Sequence, residues 1–246
     1  IKAGKTVTGT GKGLSMGSNA LASSNSESGY TNKGTVNITG GTVTEGVAAV
    51  NVAFGTVHNE STGTLSVDNG AGIYGTNGSR IVNDGTINVT GTGAGIAGLS
   101  KGSVTYGNKK VDITNNGTIS IAGDNAIGIF AYNNDNAAQS DVVINSNSAL
   151  SLGTNGVGIA VKGANGGVIN LGGTGNITAG TGGIGIYAEN SRINLNADVQ
   201  IETKENGVGI YTAGTSQTFG AGKTLTYKYS GTATGTGIAS IYSGAN

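Results

Sequence analysis

A four-residue motif, Gly-x-Gly-aliphatic, returns nine times along this chain and limits the folds open to it more than any other feature. GAGI occupies 70–73 and 93–96, GVGI 156–159 and 207–210, GIGI 183–186 and GTGI 235–238, with looser copies at 11–14, 47–50 and 126–129. Self-similarity at a period of a few tens of residues marks small units that cannot bury an apolar face alone and must stack on their neighbours. Such a chain is a solenoid.

Two further signals run in step with the motif. Ahead of it lies a short alternating segment with two apolar positions: Val36/Ile38, Leu65/Val67, Ile87/Val89, Ile119/Ile121, Leu150/Leu152, Val199/Ile201 and Leu225/Tyr227, with weaker members at Val7 and Ile177. Behind it come runs at 81–83, 113–115, 142–144, 168–171 and 193–195. Period-two alternation rich in Val, Ile and Thr and bounded by Gly, Asn and Asp is a strand signal. No stretch combines a helical period with capping residues. The pattern predicts an all-β fold, a right-handed parallel β-helix of about nine three-strand coils. Equivalent strands one coil apart lie about 4.8 Å from each other, so nine coils make a rod roughly 40 Å long. The motif isoleucine belongs inside, with its glycines where the backbone turns sharply or approaches the next coil. Asn-Gly pairs at 69–70, 155–156 and 206–207 suit positive φ.

One polar column emerges from the same alignment. Asn32, Asn59, Asn83 and Asn115 share a register position, followed by Ser146, Leu171 and Leu195. Replacement by leucine argues that the column faces inward. Buried amides need partners, so a hydrogen-bonded asparagine ladder is expected.

Forty-eight glycines without a proline would suggest disorder, were the aliphatic residues not phased with them. The formal net charge is zero, which argues against nucleic-acid partners and an electrostatic membrane anchor. No cysteine is present, so there is no disulfide framework or thiolate metal site. No apolar run approaches transmembrane length, and no direct membrane insertion is expected. Neither end reads as a cap; the whole of 1–246 is expected to be one β-helix segment of a longer rod.

Gly-rich, Asn/Thr-rich, cysteine-free coils such as GTINVTGTGAGI and GIGIYAENSRINL resemble the passenger domains of type V autotransporters, most closely the very long outer-membrane adhesins of the fusobacterial type. The resemblance covers essentially the whole chain, although its motif describes a way of turning the backbone and not a chemistry. It implies a virulence-associated adhesin at the bacterial cell surface, tethered to the outer membrane by a C-terminal β-barrel elsewhere in the parent protein. Its partners would be proteins or glycans on host or bacterial cells, with attachment through loops. A toxin or cytolysin passenger is the alternative, and a polysaccharide-degrading β-helix or phage tail fibre a more distant one.

Catalysis finds no constellation in the residues. Polysaccharide-cleaving β-helices place carboxylates together on one face, whereas these thirteen acids are scattered. Asp84 aligns with Asn116 and Asn147, Asp68, Asp112 and Asp141 fall at different corners, and Asp124 and Asp135 fall in a turn and an insertion. His58, the only histidine, lies between Val57 and Asn59 and should point outward with no Asp close to it. The expectation is a non-enzyme without cofactor or metal.

Binding is then sought where the repeat is interrupted. Three insertions swell one connection: between Leu14 and Tyr30, between Ile96 and Val111, and between Ile129 and Val142. The last two belong to consecutive coils and should form a knob carrying Leu99, Lys101, Tyr106, Lys109 and Lys110 in one loop and Tyr132, Asn133, Asn134, Asp135 and Asn136 in the other. Exposed tyrosine amid Asn and Lys suits protein or glycan contacts. Tyr74 and Tyr187, directly after the motif isoleucines, should face outward.

Overall fold

The computed structural model describes residues 1–16, 29–41, 47–100, 110–134, 138–214 and 216–243. Within these the chain winds as a parallel β-solenoid, visiting three sheets in a fixed order, with every strand paired in parallel to its equivalent one coil away. The first and second sheets have nine strands each and the third eight. One full coil runs Thr64–Val67, Gly70–Thr76 and Ser79–Asn83 before returning to the first sheet at Thr86–Val89.

Register turns the sequence repeats into physical columns. On the second sheet Ile73, Ile96, Ile129, Ile159, Ile186 and Ile210 are consecutive partners, and all are buried. The first sheet stacks Val36, Leu65, Ile87, Ile119, Leu150, Ile177 and Ile201. The third sheet stacks Val57, Ile81, Ile113, Ile144, Ile169 and Ile193. The three columns meet in one continuous apolar core along the rod. Branched aliphatics suit this geometry because each packs on its equivalents above and below as well as across the interior.

The second glycine of the motif is required by close approach. A Cβ on Gly72, Gly95 or Gly128 would meet the carbonyl oxygen of the next coil's motif glycine at 2.7, 2.7 and 2.5 Å, distances no real side chain keeps. Positive φ falls on the Asn of two Asn-Gly pairs, Asn155 at 54° and Asn206 at 58°, and on Gly70 itself at 94°. There the left-handed backbone favours Gly and Asn.

The asparagine ladder is present as expected. Asn32 Nδ2 donates to Asn59 Oδ1, Asn59 Nδ2 to Asn83 Oδ1 and Asn83 Nδ2 to Asn115 Oδ1, each at 2.8 Å. All four side chains are fully buried. The ladder points one way and ends at Ser146, leaving Asn115 Nδ2 and Ser146 Oγ buried without a partner.

The last repeat departs from the sequence alignment. Gly237 pairs with Gly207, Ile238 with Val208 and Ser240 with Ile210, so Ile238 misses the isoleucine column and is 47% exposed. Tyrosines take the strand positions before it: Tyr227 continues the Ile177–Ile201 column, and Tyr229 pairs with Thr203. A Cβ on Gly209 would meet the Tyr227 ring at 2.8 Å, and one on Gly237 the Tyr229 ring at 2.7 Å. The rings occupy the space beside these strands, and the motif joins the sheet two residues late.

Candidate functional site

All three insertions leave the connection from the second to the third sheet, because Leu14–Met16, Gly93–Ser100 and Ile127–Asn133 belong to the second sheet. Gly93–Ser100 and Ile127–Asn133 are adjacent strands. Among the predicted contact residues, Lys101, Tyr106, Lys109, Asp135 and Asn136 lie outside the described residues.

The remainder separate into different environments. Tyr132 is exposed and stands in register between Leu99 and Lys162 on the outer face of the second sheet. Lys110 has its ammonium 3.7 Å from Asp112. Leu99 is half-buried against an apolar cluster. Asn134 is half-buried, and its amide donates to the Ser100 carbonyl at 3.0 Å. Asn133 corrects the expectation of an exposed contact: it is fully buried, and its Nδ2 donates to the Ala138 and Gly166 carbonyls at 2.9 and 2.7 Å. Strand alternation accounts for this, since Tyr132 points out and its neighbour must point in. Asn133 ties the root of the insertion to the coil.

What sequence reading missed is the outer face of the second sheet. Its central column runs Asn51, Tyr74, Ala97, Phe130, Ala160, Tyr187 and Tyr211. Ala48, Ala71, Tyr74, Ala94 and Ala97 form a second buried cluster with Leu99, Ile127 and Phe130 packed on it. Tyr74, expected to face solvent, is only 9% exposed within that cluster. A cavity of about 310 Å³ lies here, lined among others by Ala71, Tyr74, Ala94, Ala97, Leu99 and Phe130. The available signal was the residue after each motif isoleucine, which is aromatic or Ala from Tyr74 through Tyr211.

Farther along the face the column becomes polar at its edge. Tyr187 and Tyr211 stack with centroids 5.1 Å apart and planes 4° from parallel. Lys162 Nζ sits 5.0 Å over the Tyr187 ring. The Tyr187 hydroxyl donates to Glu189 Oε1. That bond, reinforced by burial and by the Glu189 charge, pushes the phenol up to about 12. The tyrosine therefore stays a protonated donor at physiological pH.

The third sheet carries a shorter polar rank. His58 Nε2 lies 2.6 Å from Asp84 Oδ2, so His58 does have a carboxylate partner, contrary to expectation. Asn116 Nδ2 donates to Asp84 Oδ1 and Asn147 Nδ2 to Asn116 Oδ1, each at 2.8 Å. His58 meets the acid of the next coil because coil stacking brings residues 26 positions apart together. Elsewhere carboxylates hold turns: Asp68 accepts from the Gly40, Gly41 and Asn69 amides, and Glu205 from the Thr232 amide. Among the described residues, no three His, Asp or Glu side chains converge to hold a metal ion.

No protein-family model, curated protein or solved structure matches the chain. The structure itself places it as an all-β parallel β-solenoid with three parallel sheets.

Proposed function

We propose that this chain serves as part of the passenger of an autotransporter-type bacterial adhesin, a non-enzymatic rod that displays contact surfaces away from the cell. The observation that carries the reading is the one-sided distribution of its features. Two long insertions on adjacent coils and an outward aromatic column share one sheet and its edge. Among the described residues the middle coils otherwise repeat in register, and loops on a rigid scaffold are where binding concentrates. Described carboxylates such as Asp68, Asp124 and Glu205 accept hydrogen bonds from turn amides, a supporting role in place of acid–base chemistry. The resemblance to autotransporter passengers supplies the cell-surface setting and the expected partners, proteins or glycans on host or bacterial cells.

The test is attachment. Inert particles coated with the 246-residue chain should adhere to epithelial or bacterial cells above particles carrying an unrelated β-rich protein. Equal adhesion on every cell type tested would reject the adhesin reading.

A further inference from the structure

The outer face of the second sheet is hollow at one coil, and the sequence shows why. Beside the column that runs from Tyr74 to Tyr211 lies a second one: Ala71, Ala94, Ile127, Val157, Ile184 and Val208. Of these six coils only that of Gly93–Ser100 has alanine in both columns, Ala94 and Ala97. Ala160, by contrast, has Val157 on its own strand. The cavity of about 310 Å³ is lined by Ala94 and Ala97, and the Tyr74 and Phe130 side chains on either side of Ala97 also line it.

Size and lining restrict what the cavity can hold. Its volume stands at the small end of ligand pockets, which suits a compact molecule. Tyr74 and Phe130 belong to strands two coils apart, about 9.6 Å. A flat ring seated on Ala97 lies about 4.8 Å from each, within the usual range for stacked rings. No charged residue is among those lining the cavity, so a charged group would be desolvated there without an ion-pair partner. Thr92 and Asn125 bring polar side chains to the lining, enough to orient one hydroxyl or ring N–H.

We infer that the cavity at Ala94 and Ala97 binds a compact, uncharged aromatic molecule of the indole or phenol class. The ring covers the two alanines between Tyr74 and Phe130, and burial of apolar surface drives its binding. The inference is independent of the adhesin reading, because it concerns a pocket in the sheet face and a small molecule.

The chain contains no tryptophan, so the fluorescence of added indole is read free of any protein indole. Indole titrated with the 246-residue chain should bind saturably at one site, with its emission shifted to the blue, and phenol should compete. Ala97→Leu, which fills the floor, and Phe130→Ala, which removes a wall, should each weaken binding about tenfold or more. Tyr211→Ala, outside the cavity, should leave binding unchanged. Sulfate should strengthen it, as expected for apolar burial, and indole-acetate should bind about tenfold more weakly or worse. Circular dichroism checks each fold, and the two cavity variants test the site separately if one of them misfolds. The inference is overturned by absence of saturable indole binding, or by binding that the folded cavity variants leave unchanged. Weakening by Tyr211→Ala, equal binding of indole-acetate or of a straight-chain alcohol, or binding confined to a tryptophan-bearing peptide would overturn it as well.

Discussion

The direction of the asparagine ladder makes a prediction that composition could not. Asn83 and Asn115 are adjacent rungs, both fully buried, and Leu171 and Leu195 show that the column accommodates leucine. Asn83→Leu removes the acceptor of Asn59 Nδ2, which keeps longer bonds to the Gly63 and Thr86 carbonyls at 3.3 Å each. It also removes the donor to Asn115 Oδ1, whose own Nδ2 is already unpartnered. A buried amide is then stranded at both ends. Asn115→Leu orphans Asn83 Nδ2 but abolishes the existing orphan at Asn115, so the number of unpaired buried groups does not rise. With each such group costing about 1–3 kcal/mol and Asn59 keeping its other bonds, the one extra stranded group should make Asn83→Leu the less stable by about 1–3 kcal/mol. The gain from burying leucine is common to both variants and cancels in the comparison. Urea unfolding of the two proteins side by side, with m-values checked for equality, reads the difference. Midpoints that agree within error, or a lower midpoint for Asn115→Leu, would refute the directional ladder.

Ile129→Ala, in the middle of the second-sheet column, should cost about 2–5 kcal/mol, and hydrogen exchange should rise in neighbouring coils more than at the far ends. Gly128→Ala should destabilise by about 1–3 kcal/mol by overpacking against the Gly158 carbonyl, seen as a lower melting midpoint without loss of Asn-ladder protection in exchange experiments. For Asp84, burial works to raise the carboxyl, but hydrogen bonds from Asn116 and His58 and the attraction of His58 outweigh it and hold it below its ordinary 3.8. A depressed folded value means the ionised acid stabilises the fold above 3.8 and loses that contribution as pH falls through the lowered value. The stability gap between the wild-type chain and Asp84→Asn, followed by thermal melts across the acid range, should therefore narrow in that window; a gap that widens would contradict the sign.

Periodicity alone determined the solenoid, its three strands per repeat, the inward isoleucines and the buried asparagines. Each of these is a one-dimensional consequence of stacking: a residue that must pack on its own equivalent repeats at the coil period, and Ile73, Ile96 and Ile129 could be aligned without coordinates. Tertiary structure decided whatever depends on distances between coils or on which way a side chain turns at a corner. Asn133 looked like an exposed insertion residue until the strand was seen to continue to it, placing its amide under the Gly166 carbonyl. Ile238 carries the motif, yet it pairs with Val208, two residues out of the isoleucine register and beside the Tyr227 and Tyr229 rings, a placement that the motif does not encode. His58 acquired Asp84 through the stacking of two coils. The outer column from Tyr74 to Tyr211 was present in the sequence throughout, but a face becomes a surface only when neighbouring coils are brought about 4.8 Å apart, and only then do Tyr187 and Tyr211 stack and Lys162 come to lie over the Tyr187 ring.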